Sequence, residues 1–482
     1  MTDADLLDRR NFYIDGSWVT PSQPNDALVI DPSTENPSAV ISLGWAADTD
    51  AAVAAARAAF PAWSRTEPSA RVELLEQLLE LYKERSEEMA RTISLEMGAP
   101  IDLALKSQVT AGSFHLRNTI TALESFAFDR PLRDDTPGDR ILYEPVGVCA
   151  LITPWNWPMN QVTLKVGSAV GAGCTMVLKP SEIAPLSSAL FAELVHDAGF
   201  PPGVFNLVNG DGAGVGTQLS GHPDVDMVSF TGSTRAGVAI TRNSADSVKR
   251  IALELGGKGA NIVFADADEG AIERGVRHCF NNSGQSCNAP TRMLVERPIY
   301  DEAVAIAQRL AAETAVDAPD KMGRHIDPVV SQAQFDKIQG LIDTGIREGA
   351  LLAAGGPGRP NGHEVGYYVR PTVFADVSTE MTIAQEEIFG PVLSILAFDT
   401  EQEAIDIAND TVFGLTNYVQ TSDVERARRV ARQLRSGMVE MNGQPRSAGA
   451  PFGGYGQSGH GREGGVWGLE EFLEVKAVSG WV

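Results

Sequence analysis

The residue with the most direct chemistry is Cys287, in the run Asn282-Ser283-Gly284-Gln285-Ser286-Cys287-Asn288. A polar, glycine-containing stretch between a helical and a strand-like segment leaves a thiol within reach of solvent, where its thiolate can act as a nucleophile. The competing reading is a small buried hydrophobe, the commoner role of a free cysteine. Cys149 and Cys174 sit in apolar strand-like runs and read as core thiols, and Cys279 lies on the preceding helix. Glu254 ends the apolar run Ile251-Ala252-Leu253 ahead of Gly256 and Gly257. A carboxylate at the end of a buried strand is partly desolvated, which raises its pKa toward the range of a general base. A surface glutamate at a turn is the alternative. In Pro154-Trp155-Asn156-Trp157-Pro158 two prolines and two tryptophans make a rigid apolar turn whose one polar side chain is the Asn156 amide. Such a sheltered N–H donor suits a developing oxyanion, whereas a turn packing its aromatics into the core would need no chemistry.

Several segments could hold phosphates. Phe230 to Gly237 follows a strand and opens a helix, so its free N–H groups and the Ser233 hydroxyl are placed for a pyrophosphate. Asn209 to Gly214 offers a similar turn. Neither completes G-x-G-x-x-G, because Thr217 stands where a third glycine would follow Gly212 and Gly214. Lys179-Pro180-Ser181-Glu182 ends another strand, and Glu182 is placed to take ribose hydroxyls. The sequence holds no His-Glu-x-x-His, Walker loop or G-x-S-x-G elbow, and no zinc spacing among its seven histidines.

These residues need a frame. Ser69 to Glu96 repeats apolar residues at the helical period (Val72, Leu75, Leu79, Tyr82, Met89, Ile93), and Gly98 with Pro100 ends it, which predicts one amphipathic helix. Short β-branched runs at 147–153, 175–178, 204–208 and 227–230 alternate with helix-length segments, the rhythm of βαβ units and a parallel sheet. The rhythm resumes at 261–264, 291–295, 391–398, 417–421 and 438–441, so two α/β units are expected, with the glycine-rich 254–258 as their seam. Leu473 to Val478 alternates at period two and predicts an edge strand open to a second subunit.

A chain of 482 residues is long enough for about three domains with sizeable cores. Its 39 basic residues against 63 acidic ones leave a net charge of −24, which disfavours nucleic acid and anionic membranes as partners. Four cysteines without a Cys-x-x-Cys pair indicate a reducing, cytoplasmic setting and no metal. The acidic opening Met1-Thr2-Asp3-Ala4-Asp5 lacks the pattern of a secretory or transit signal. The longest weakly charged stretch, 166–178, is too short for a membrane span, so a soluble protein is expected.

Taken in order, the turn at 154–158, the Lys179 to Glu182 run, the Phe230 to Ser233 turn, the 254–258 segment, the Gly284 to Cys287 segment and Glu386-Glu387-Ile388-Phe389-Gly390-Pro391-Val392 resemble the NAD(P)-dependent aldehyde dehydrogenase superfamily. The resemblance runs from about residue 10 to the end. It implies an α/β fold: a Rossmann-type cofactor domain (1–126 and 146–257), an α/β catalytic domain (258–465) and a small β oligomerisation element (127–145 and 466–482) that builds homodimers or homotetramers. It further implies that Cys287 attacks the aldehyde as a thiolate, that Asn156 and the Cys287 N–H receive the oxyanion, and that Glu254 activates the water that hydrolyses the thioester. Lys165 and Glu463 match a proton relay.

For the cofactor the resemblance implies Lys179 and Glu182 at the adenosine ribose, Gly232 and Ser233 at the pyrophosphate, and Glu387 with Phe389 at the nicotinamide half. Thr153, Trp155, Gly212, Gly237 and Leu255 complete that set. Glu182 bonds a free 2′-hydroxyl and repels a 2′-phosphate, so NAD is preferred over NADP. Trp157, Gln161, Leu164, Ser286, Asn288 and Phe452 are expected to line the aldehyde tunnel. Its aromatic mouth suits medium or aromatic aldehydes, and Gln161 and Asn288 suit a polar group. Arg446, near the entrance, reads as a solvated arginine, with an acidic substrate tail as the alternative. The competing activity is acyl transfer to coenzyme A on the same fold, against which Glu254 weighs; a binding protein without activity is the other alternative.

Overall fold

The computed structural model describes residues 6–481; the acidic opening Met1–Asp5 and Val482 lie outside the described residues. Five strands, Val148–Ile152, Thr175–Lys179, Phe205–Leu207, Met227–Thr231 and Arg250–Glu254, run parallel at the centre of an eight-stranded sheet. The short strands Phe12–Ile14 and Ser17–Val19 extend one edge, and Gly459–His460 pairs antiparallel with Arg250–Glu254 at the other. Alternate side chains of these strands enter two separate cores. Leu151, Met176, Leu178 and Phe205 face one, and Val148, Ala150, Ile152, Val177 and Val228 face the other. Burial on both faces explains why the strands read as continuous apolar runs.

The order across the sheet places Met227–Thr231 beside Val148–Ile152, although two intervening strands lie on the far side of the latter. Chain direction around the sheet therefore reverses between these two strands. The crevice beyond their carboxyl ends, where the turns after Ile152 and Thr231 diverge, is the position at which open α/β sheets bind ligands.

After Glu254 the chain crosses at 255–259 into a seven-stranded sheet. Ala260–Val263, Arg292–Glu296, Thr372–Ala375, Val392–Phe398, Thr416–Gln420 and Met438–Met441 are parallel, and Leu351–Ala354 is an antiparallel edge. A third sheet joins Asp129–Pro131, Asp139–Pro145 and Leu473–Ser479. Leu473–Ser479 is paired on one side only and leaves Val475 62% exposed. Helix Gly465–Glu471 packs on helices Val109–Ser125 and Pro158–Ala172, so the first residues of the 466–482 segment join the larger body rather than this small sheet.

One expectation is corrected. The predicted helix over 69–96 is two helices, Pro68–Glu84 and Ser86–Met97, separated at Arg85 (φ −100°, ψ 20°). Arg85 bonds both Glu88 and Glu193, which ties the bend to helix Leu186–Asp197. The period of apolar residues survives a one-residue break, so the sequence pattern does not reveal it. Gly98 does end the second helix, in the left-handed conformation. Among the described residues no helix is long and apolar enough to cross a membrane.

Candidate active site

A cavity of about 450 Å³ opens at the crevice beyond Val148–Ile152 and Met227–Thr231. Its wall includes Trp155, Asn156, Trp157, Gln161 and Leu164 from the first turn and following helix, and Gly232 and Ser233 from the second turn. Across from them stand Leu255, Cys287, Asn288, Glu387, Phe389, Phe452 and Glu463. Cys287 is half-buried, whereas Cys149, Cys174 and Cys279 are buried. Burial, with the charges of Glu387 and Glu254 beside it, pushes the Cys287 thiol up to about 12, and Arg446 opposes that rise.

The loop that carries Cys287 is strained and tightly held. Asn282 (φ 53°, ψ 35°) and Ser283 (φ 53°, ψ 31°) adopt the left-handed region that non-glycine residues avoid, at roughly 1–3 kcal/mol each. Gly284 follows at φ +74°, and a Cβ there would meet the Gly390 carbonyl at 2.0 Å. Buried hydrogen bonds, worth about 1 kcal/mol each, offset the strain. The Ser283 hydroxyl donates to Asp327 Oδ1 at 2.7 Å, and the Val330 N–H donates to Gln285 Oε1 at 2.9 Å. Asn282 Nδ2 and Gln108 Nε2 both donate to the Asn156 carbonyl, at 3.0 and 3.1 Å. Gln108 comes from a π-helical turn, Ala104–Gln108, a distortion often found where a side chain is re-aimed at a functional site. Asn156 Nδ2 donates to the Gln285 carbonyl at 2.9 Å, which commits one of its two N–H bonds and leaves the second available.

Glu254 closes its strand as expected and is 4% exposed. Neither carboxylate oxygen has a hydrogen-bond partner. Burial and the charge of Glu463 push its pKa well above the carboxylate range, against Lys165 and Arg462. It does not line the cavity: Oε1 lies 2.7 Å from where a Cβ on Gly453 would stand, so only glycine admits it there. Lys165 donates to Glu463 Oε1 at 2.5 Å and to Ser229 at 3.0 Å, and Glu463 Oε2 is unpartnered.

The remaining residues divide. Glu387 Oε1 accepts the Gly257 N–H at 2.8 Å, and the Trp155 and Phe389 rings meet edge to face at 5.4 Å. Ser233 caps helix Thr234–Ser244 by accepting the Ala236 N–H at 3.3 Å. Lys179 sits outside the cavity, donating to the carbonyls of Pro180 and Gly210 and standing 3.5 Å from Glu182. Gly212, in the turn after Asp211, and Gly237, against Leu255, are also off the wall, as is Thr153, whose hydroxyl is buried without a partner. Ser286 is not on the tunnel wall either: its hydroxyl accepts the Trp157 indole N–H at 2.8 Å and fixes the ring that is.

Arg446 is exposed, in keeping with the solvated reading, and also has defined contacts. Its guanidinium lies 4.9 Å over the Phe452 ring, Nε donates to Glu440 Oε1 at 3.0 Å, and it lines the cavity. Sequence reasoning missed Gln108, Ser283 and Asp327, and also His115, Asn118 and Asn160 on the wall. The partners of Gln108, Ser283 and His115 lie 44 to 48 residues away in the chain, and no local signal marks them.

A doubly wound sheet with a thiol, a carboxamide and glutamates gathered at its switch point defines an enzyme of the dehydrogenase class. The chain belongs to the aldehyde dehydrogenase family, whose model matches residues 18–478. It is 52% identical over 478 residues, 99% of each chain, to 3-succinoylsemialdehyde-pyridine dehydrogenase of a Pseudomonas species. The crystal structure of an aldehyde dehydrogenase from Bartonella henselae is similar at a TM-score of 0.98 with 59% identity, covering 99% of this chain and 100% of that one. Aldehyde dehydrogenase C of Pseudomonas syringae, a cysteine-to-alanine mutant in complex with NAD+ and octanal, is similar at 0.96 with 51% identity over 98% and 97% of the two chains.

Proposed function

We propose that the protein oxidises an aldehyde to its carboxylic acid with NAD through a thioester on Cys287. The observation that carries this reading is a half-buried thiol and an amide with a spare N–H on one cavity wall, with a buried glutamate held by no hydrogen bond off that wall. Cys287 loses its proton to solvent in the cavity, and the thiolate sulfur attacks the carbonyl carbon, whose π pair moves onto the oxygen. The Asn156 amide and the Cys287 N–H stabilise the resulting oxyanion. When bound, NAD supplies the hydride acceptor, and loss of hydride leaves a thioester on the sulfur. Glu254, held by no hydrogen bond, turns from Gly453 toward the cavity and takes a proton from water. The water oxygen bonds the acyl carbon, the C–S bond breaks, and the acid leaves with the thiolate restored. Lys165 and Glu463 pass the proton outward.

The residues present fit the cofactor. Gly232 and the capped helix start at Ser233 face the crevice, the Thr153 hydroxyl lacks an internal partner, and Glu387 is held in place by a backbone N–H. Lys179 and Glu182 would hold the adenosine ribose, with Gly212 beside them; Glu387, Phe389 and Trp155 would hold the nicotinamide half, and Gly237 lets Leu255 close on the helix. Glu182 favours NAD over NADP. On this reading 1–126 with 146–257 form the cofactor domain and 258–465 the catalytic domain. The half-paired strand Leu473–Ser479 supports assembly into a homodimer or homotetramer. Four free cysteines support a reducing, cytoplasmic setting. The relative seen in complex with octanal and the one named for 3-succinoylsemialdehyde-pyridine support medium to large aldehydes. An aldehyde panel followed by NADH absorbance tests the reading: NADH and free acid should form without coenzyme A, and a strict requirement for coenzyme A overturns it.

A further inference from the structure

The cavity wall away from the cofactor residues has a composition that selects among aldehydes. Arg446, Phe114, His115, Asn118 and Asn160 line it. Two cations line the cavity: Lys337, whose charge acts on Glu387, and Arg446 on this wall, whose Nε is bonded to Glu440 at 3.0 Å and whose Nη1 lies 3.0 Å from the Met438 sulfur. Its Nη2 has no protein partner among the described residues. The guanidinium carbon lies 4.9 Å from the Phe452 ring centroid, so the ring braces the group that carries Nη2. His115 Nε2 stands 2.6 Å from Asn160 Oδ1, and burial lowers the imidazole pKa to about 4, so at neutral pH the ring is uncharged and donates to that oxygen. The Asn160 amide nitrogen is left without a protein partner among the described residues. This wall thus offers hydrogen-bond donors while its one cation is balanced by an adjacent carboxylate.

We infer that Arg446, neutralised by Glu440 and braced on Phe452, together with Asn160, makes this wall a subsite for an uncharged hydrogen-bond acceptor, such as a ketone, on the distal part of the aldehyde. The inference rests on the aldehyde-oxidising reading above. A carboxylate tail gains little from a guanidinium that already has an anionic partner and meets the field of Glu440 as well. An alkyl tail leaves the donors of the wall unpaired once water is displaced.

The test uses three six-carbon substrates: hexanal, its ketone 5-oxohexanal and its carboxylate 6-oxohexanoate, each followed by NADH absorbance. In the wild-type protein kcat/KM should be highest for the ketone, above both others. Arg446→Met should lower the ketone-to-hexanal ratio of kcat/KM roughly ten-fold, the loss of one hydrogen bond to a charged donor. Glu440→Gln frees the guanidinium and should raise the carboxylate-to-hexanal ratio by a similar factor. A wild-type preference for the carboxylate, or unchanged ratios in both variants, overturns the subsite. Failure of the wild-type protein to oxidise any of the three instead overturns the functional reading itself, so the two are told apart.

Discussion

On the proposed mechanism, replacing Asn156 isolates the oxyanion contribution. Its amide has two N–H bonds, of which one is committed to the Gln285 carbonyl at 2.9 Å. Its main-chain carbonyl is held separately by Gln108 and Asn282, so the backbone position does not depend on the side chain. Asn156→Ala therefore removes one donor to the oxyanion plus one clip on the cysteine loop. A single preorganised donor is worth about 10²–10³ in kcat, or about 3–4 kcal/mol. The clip is a neutral hydrogen bond worth about 1 kcal/mol, which places the expected loss in the upper part of that range. Asn156→Asp preserves shape but replaces the donor with a carboxylate facing the developing negative charge, so it should be at least as damaging. The assay is single-turnover NADH formation at saturating aldehyde, with NAD affinity measured by quenching of tryptophan fluorescence. Unchanged NAD affinity with the rate reduced by two to three orders of magnitude supports the reasoning. A loss of only about two-fold in the alanine variant, or full activity in the aspartate variant, refutes it.

Glu182→Gln removes the charge 3.5 Å from Lys179 and should raise the NADP-to-NAD ratio of kcat/KM by roughly ten-fold; an unchanged ratio would remove Glu182 from the ribose site. Because burial, Glu387 and Glu254 raise the Cys287 thiol to about 12, its alkylation by iodoacetamide should climb steadily from neutral to alkaline pH. Glu387→Gln should move that profile to lower pH, and a profile flat with pH would contradict the assignment. Asp327→Ala removes the carboxyl 2.7 Å from the Ser283 hydroxyl and leaves that hydroxyl only the main-chain carbonyl of residue 327, which loosens the left-handed pair, so kcat should fall several-fold with NAD affinity retained; Asp327→Asn should recover most of it, and equal losses in both would refute the clasp.

The parts of the molecule readable from sequence are those in which local pattern and tertiary role coincide. Strands Val148–Ile152 and Met227–Thr231 are buried on both faces, so their apolar runs stand out, and the turns that follow them could be named with their residues. Glu254 was legible because a strand end places a carboxylate where burial perturbs it. The Asp327 to Ser283 clasp joins residues 44 apart, and the Gln108 bond to Asn156 joins residues 48 apart; neither has a periodic signature. Arg446 is exposed as its loop position suggests, but its contacts with Glu440 and Phe452 and its place on the cavity wall depend on tertiary folding that no local pattern marks. The break at Arg85 leaves no mark in the sequence pattern because the apolar face continues on both sides of it.

The most direct measurement is mass spectrometry of the Glu254→Gln protein after mixing with aldehyde and NAD. Without the carboxylate that activates water, one equivalent of NADH should appear in a burst and an acyl group should be found on the peptide that carries Cys287. Absence of both burst and adduct, or an acyl group on any other cysteine, would contradict the account.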